Sequence, residues 1–116
     1  MYEPLREHIS TIIELTDEEW WVVRSHFTPR ALRKHDFLLQ AGDVCHAFGF
    51  IVKGALYSYT TDGSGGVRVI QFGFEGHGIG DIASFLSREG SSRSIEALED
   101  SELLLIAREH CRLPRI

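Results

Sequence analysis

The sequence is poor in cysteine, has no basic cluster and has no long apolar run, and each gap removes a class of protein. Two cysteines in 116 residues, Cys45 and Cys111, lie too far apart to form the disulfide framework of a small secreted domain. The start, Met1-Tyr2-Glu3-Pro4, lacks the basic residues and apolar run of a signal peptide. No segment reaches the ~20 apolar residues of a membrane helix. A reducing, cytoplasmic setting without a membrane partner is the expectation. The formal net charge is -5, and the densest basic stretch, Arg30 to Lys34, has three basic residues set among apolar ones. DNA is a polyanion held by clustered Lys and Arg, so no direct DNA contact is expected from this segment.

Signatures of chemistry are also missing. His35, His46 and His77 are scattered. Cys45 stands beside His46 but not at the short paired spacing of a zinc site. There is no G-x-S-x-G, phosphate loop or H-E-x-x-H. Glu96, Glu99, Asp100 and Glu102 gather around a turn, as a solvated edge would place them, rather than as an acid/base pair. No enzyme and no metal site are expected.

What is present suits one folded domain. Apolar residues make up 43% of the chain and charged residues 25%, with both signs interspersed. Leu5, Ile9, Ile12 and Ile13 follow helical spacing. Thr16-Asp17-Glu18-Glu19 forms a capping box, which starts a second helix near residue 17. Trp20, Val23 and Phe27 make its apolar face, and Pro29 ends it. From about residue 30 the chain changes to short strand-type runs. Phe37-Leu38-Leu39-Gln40 leads into Ala41-Gly42-Asp43. Phe48, Phe50 and Val52 alternate up to Lys53-Gly54, and Ala55, Tyr57 and Tyr59 alternate after it. The Asp62 to Gly66 loop precedes a strand from Val67 to Phe74. Ile95 to Leu98 and Leu103 to Ile106 flank a turn at Glu99-Asp100-Ser101. Strands so spaced predict a sandwich or small barrel. The aromatic residues Trp20, Trp21, Tyr57, Tyr59, Phe72 and Phe74 fit core or half-exposed strand positions.

One interruption stands out. Gly76-His77-Gly78-Ile79-Gly80-Asp81 is dense in glycine and runs into Ile82 to Leu86, which can form one or two helical turns. Glycines let backbone amides approach a ligand, and a helix start offers unpaired N–H groups. Gly78, Gly80 and the amides of Asp81, Ile82 and Ala83 are therefore candidates for an anion site. A plain turn with positive φ explains the glycines equally well. Asp81 can cap the helix or accept from a sugar hydroxyl. The polar stretch that follows contains Ser91, Ser92 and Arg93, which can offer hydroxyls and a guanidinium to a phosphate or lie in a solvated loop. Ile70 and Phe72 are candidate apolar lining.

The order of these motifs resembles a known family. Two N-terminal helices, Gln40-Ala41-Gly42-Asp43, Phe50-Ile51-Val52-Lys53-Gly54, Gly80-Asp81 and Ile95-Glu96-Ala97-Leu98 resemble the cyclic-nucleotide-binding domain of the catabolite-activator and fumarate-nitrate regulators (Crp/Fnr). Ile70-Gln71-Phe72, Ser84-Phe85-Leu86 and Ala97 to Leu103 are similar to the Bacteroidetes variety. The resemblance implies a mainly β fold: an eight-stranded antiparallel β-roll, or jelly roll, with N-terminal helices and a short helix in the phosphate-cassette position. It divides the single domain into helices over 1–27, β-roll over 28–107 and the start of a C-terminal helix over 108–116. Pro114 disfavours continuation of that helix, and the helix-turn-helix of the regulators is not expected in this chain.

The same resemblance implies an effector-sensing role with a cyclic nucleotide or other small anion as ligand. The family's Gly-Glu pair matches Gly80-Asp81, with the shorter acid here. Its phosphate arginine falls on Ser91 and the following residue on Ser92, so standard cyclic AMP binding is not expected. Arg93 has the parity of Ser91 in an extended strand and faces the same side. The alternative is a ligand-free interaction domain, with a homodimer formed over the apolar strip that the missing helix leaves.

Overall fold

In a computed structural model describing residues 2–107, the chain forms two four-stranded antiparallel sheets with three helices. The helices are α1 (Glu3–Ser10), α2 (Asp17–Ser25) and α3 (Ile82–Ser87). The strands are β1 (Phe27–Leu32), β2 (Phe37–Leu39), β3 (Ala47–Lys53), β4 (Leu56–Thr61), β5 (Val67–Gly73), β6 (Gly78–Ile79), β7 (Ser94–Ala97) and β8 (Ser101–Ala107). One sheet has the order β1-β8-β3-β6 and the other β2-β7-β4-β5. The expected β-roll is therefore present, with α3 between β6 and β7. The expected C-terminal helix over 108–116 lies outside the described residues.

The two sheets differ in what covers them, and the sequence of each strand follows. Between the sheets lie Leu32, Leu39, Ile51, Leu56, Ile79, Phe85, Ile95 and Leu103. Fully burying each such side chain stabilises the fold by about 1.5–3 kcal/mol. On the outer face of the first sheet, Phe50 and Leu104 meet Leu5 of α1 and Trp20 of α2 in a second cluster. Strands β3 and β8 thus bury both faces and read as continuous apolar runs. No helix covers the outer face of the second sheet among the described residues. Strand β4 accordingly alternates, with Leu56 and Ser58 buried and Tyr57 and Tyr59 half-buried.

The helices hold to their local signals. Thr16 Oγ1 accepts from the Glu19 amide at 3.2 Å, and Glu19 Oε1 accepts from the Thr16 amide at 3.0 Å, completing the capping box. Three boundaries differ from expectation. Helix α1 ends at Ser10, leaving Ile12 and Ile13 exposed. Phe27 begins β1 instead of ending α2. Pro29 lies within β1 rather than stopping a helix, which is allowed because β1 is an edge strand with one neighbour.

Candidate functional site

The segment from Gly80 to Ser94 is fixed against the rest of the roll by backbone bonds. The Gly42 amide donates to the Ser91 carbonyl at 2.7 Å, and the Ser91 amide donates to the Asp43 carbonyl at 2.8 Å. Val44 and Gly90 form a bridge. Gly90 is required there, because a Cβ on it would lie 2.6 Å from the Gly42 carbonyl oxygen. Ser84 Oγ accepts from the Cys45 amide at 2.9 Å and donates to the Glu89 carbonyl at 2.5 Å. One buried hydroxyl thus ties helix α3, the turn after it and the β2–β3 loop together.

Asp81 is the centre of the site. It caps α3 by accepting from the Ser84 amide at 3.3 Å. Its second oxygen accepts from Ser91 Oγ at 2.5 Å and lies 3.8 Å from Arg93 Nε. That nitrogen is buried and makes no hydrogen bond in the protein. Ser91 Oγ also accepts from the Arg93 amide at 3.1 Å. Burial alone would raise the Asp81 pKa. The Ser91 hydroxyl, the Ser84 amide and the Arg93 charge together outweigh it and hold the carboxyl below its ordinary value of 3.8. Asp81 is therefore ionised near neutral pH and already has donors on both oxygens.

The candidates fall into three groups. Asp81, Ser91 and Arg93 converge, but not through strand parity: the chain bends at Ser92, the Arg93 amide turns back to Ser91 Oγ, and β7 begins only at Ser94. Gly80 borders a groove of about 510 Å³ beside this segment, whose other walls include Arg30, Leu39, Asp43, Cys45 and His46. Gly78 pairs with Phe50 in β6, while Ile82, Ala83 and Ser92 are exposed. The structure does not bring Ile70 and Phe72 to the groove. Both are exposed on β5, and the Phe72 ring stacks with Tyr57 at 6.2 Å and with Phe74 at 6.4 Å.

Sequence reasoning did not single out Ser84, nor a polar cluster on the uncovered sheet. There Tyr59 donates to Glu96 Oε1 at 3.0 Å, and His35 Nδ1 lies 3.0 Å from Glu96 Oε2. Burial, then the hydrogen bond to the Glu96 carboxylate, pushes the Tyr59 phenol up to about 12. Tyr59 and Glu96 were each visible, but their contact depends on the β4–β7 register. Among the described residues, no group of three or more His, Cys, Asp or Glu could hold a metal ion.

The cyclic nucleotide-binding domain family matches the chain over residues 29–112. Among solved structures, the catabolite activator protein of Thermus thermophilus is 27% identical with a TM-score of 0.73, over 83% of this chain and 45% of that one. The N-terminal domain of a Streptomyces coelicolor transcriptional regulator is 19% identical with a TM-score of 0.73, over 83% of this chain and 66% of that one. The sensor domain of the transcriptional regulator DNR from Pseudomonas aeruginosa is 15% identical with a TM-score of 0.79, over 94% and 72%. The chain thus spans less than half of the Thermus protein. No curated protein sequence matches it.

Proposed function

The chain belongs to the cyclic nucleotide-binding domain family, and from that premise we propose that it is the effector-sensing module of a Crp/Fnr-type transcription regulator with an altered phosphate site. Ligand uptake would shift the population between two packings of the cassette around α3. The module would work in the cytoplasm, without catalysis of its own and without touching DNA itself. Among the described residues, no helix is long and apolar enough to cross a membrane.

The observation that carries this proposal is the Asp81–Ser91–Arg93 contact. Ser91 takes the position of the family's phosphate arginine and spends its hydroxyl on Asp81 at 2.5 Å. The cation beside that pair is Arg93, whose Nε faces Asp81 with no hydrogen bond in the protein. A guanidinium so placed can turn from carboxylate to phosphate, since both accept its fork of donors. Leaving Asp81 has its own free-energy cost, so affinity for a cyclic nucleotide is reduced relative to a free arginine. Titration calorimetry with cyclic AMP and cyclic GMP tests this. Binding in the high-micromolar range that Arg93→Ala abolishes supports the proposal; no heat and no thermal shift at millimolar ligand refute it.

The filled state of Asp81 also favours a second possibility: a ligand-free interaction domain, in which Ser91 and Arg93 serve only to lock the cassette. An Arg93→Ala variant that loses stability while the parent protein shows no ligand response would select it.

A further inference from the structure

We propose that the groove between strands β1 and β2 binds a free apolar amino acid as its zwitterion, at a site separate from the Asp81 cassette. Strand β1 is an edge of the first sheet and β2 an edge of the second. The groove of about 510 Å³ draws residues from both strands and from the β2–β3 loop. That volume lies within the range of small-molecule sites.

Alternation along β1 turns Arg30 toward the inside of the roll. Leu32 belongs to the core between the sheets, whereas Phe27 packs against the outer cluster under α1 and α2. Residues of the parity of Leu32, Arg30 included, therefore face inward. Arg30 also pairs with Leu103, another core residue. A cation on the inner face of a sheet ordinarily has a partner. The Arg30 guanidinium makes no hydrogen bond or ion pair among the described residues, and it borders the groove.

The loop wall supplies the opposite sign. The Asp43 carboxylate borders the same groove, is likewise unpaired among the described residues, and forms no ion pair with Arg30. Its backbone is already fixed. The Asp43 carbonyl accepts from the Ser91 amide at 2.8 Å, and the Cys45 amide donates to Ser84 Oγ at 2.9 Å. The apolar lining comes from Leu39, Ile95 and Leu105.

This combination selects the ligand. A carboxylate matches the guanidinium fork of Arg30, an ammonium matches Asp43, and an apolar side chain covers the three aliphatic residues. A fatty acid would leave Asp43 unmatched, and an amine would leave Arg30 unmatched. The volume favours a large side chain such as that of tryptophan. Both charged ends stay in contact with water, so the dissociation constant should be on the order of 100 μM to 1 mM.

Titration calorimetry of the full chain with L-tryptophan, L-phenylalanine and L-leucine, each to about 10 mM, brackets that constant. Saturable binding, tightest for tryptophan, is expected. Tryptophan amide lacks the carboxylate and indolepropionate lacks the ammonium; each should bind about fivefold more weakly. Arg30→Gln should weaken tryptophan about fivefold but leave its amide unchanged, and Asp43→Asn should do the same for tryptophan against indolepropionate. Arg68→Gln, on β5, is the control and should change nothing. Should either groove variant misfold by circular dichroism, the ligand series on the parent protein still decides. No saturable heat from any of the three amino acids, equal affinity for tryptophan and both of its analogues, or a loss in Arg30→Gln that is as large for the amide overturns the proposal. None of these titrations contains a cyclic nucleotide, so their outcome is independent of the cassette.

Discussion

Removing the Asp81 carboxylate should destabilise the fold by an amount that can be worked from its partners. Asp81→Ala removes the cap of α3, for which about 1 kcal/mol is typical. It also removes the carboxylate that Arg93 Nε faces at 3.8 Å and the nearer of the two acceptors of the Ser91 hydroxyl, leaving it the Arg93 carbonyl at 3.1 Å; a lost hydrogen bond to a charged group costs about 1.5–3 kcal/mol. The loss should be about 2–4 kcal/mol, a large part of the stability of a domain this size. Asp81→Asn keeps one carbonyl acceptor, for the Ser84 amide, turns the atom facing Ser91 into an N–H donor and loses the charge beside Arg93, and should cost about 1–2 kcal/mol. Urea unfolding at constant m-value measures both.

The pH dependence gives a sharper check. The folded pKa of Asp81 is lowered beneath its ordinary 3.8. Its stabilisation is therefore complete above the unfolded value and is lost as pH falls through the folded one. The gap between the parent protein and Asp81→Asn should be constant from pH 5 upward and close below about pH 4. An Asp81→Ala variant within about 0.5 kcal/mol of the parent would falsify the network as a source of stability. So would an Asp81→Asn gap that persists unchanged in acid.

Two further outcomes rest on local geometry. Gly54 has φ +102°, and a Cβ there would lie 2.8 Å from the Ser101 backbone; Gly54→Ala should therefore cost about 2–4 kcal/mol by thermal melting, from the strained φ and the clash together, and a melting point within a degree of the parent would contradict it. The Tyr59 phenol, held at about 12, stays protonated in the fold after the unfolded chain has begun to ionise near 10, so stability should fall as pH rises between those values. Tyr59→Phe should reduce the drop in urea midpoint between pH 9 and pH 11 but not remove it, since Tyr57 is also shifted upward, by burial and then by Glu96.

What could be seen in the sequence was what local physics decides. The capping box at Thr16 needs only residues within one turn, and it forms as written. Ser91 and Arg93 do meet at Asp81, but through a bend at Ser92 ahead of β7 rather than through strand parity. Strand β1 was invisible for the opposite reason. In Phe27–Leu32 only Leu32 is buried, so no alternation betrays it, and Pro29 argued for a break. The bulge at Ile70 exists only in relation to β4, and a single strand cannot announce it. The placement of Phe72 on the outer face, opposite Tyr57, depends on that bulge. The groove gathers Arg30, Cys45 and Gly80 from three separate segments, a meeting that only topology arranges.

Ser58 separates a scaffold from a sensor. It faces the interior of the roll opposite Gln71, is 1% exposed, and its hydroxyl has no hydrogen-bond partner in the protein. A buried unpaired hydroxyl costs about 1–3 kcal/mol, whereas an alanine there leaves only a small void. Ser58→Ala should therefore stabilise the free chain by about 1 kcal/mol in urea. If the fold is only a scaffold, that gain is the whole effect. If an effector enters between the sheets, the hydroxyl is a polar group held ready for it, and Ser58→Ala should gain stability while weakening the ligand-induced thermal shift. A destabilised Ser58→Ala variant would show that the hydroxyl is already satisfied in solution, and the distinction would lose its physical basis.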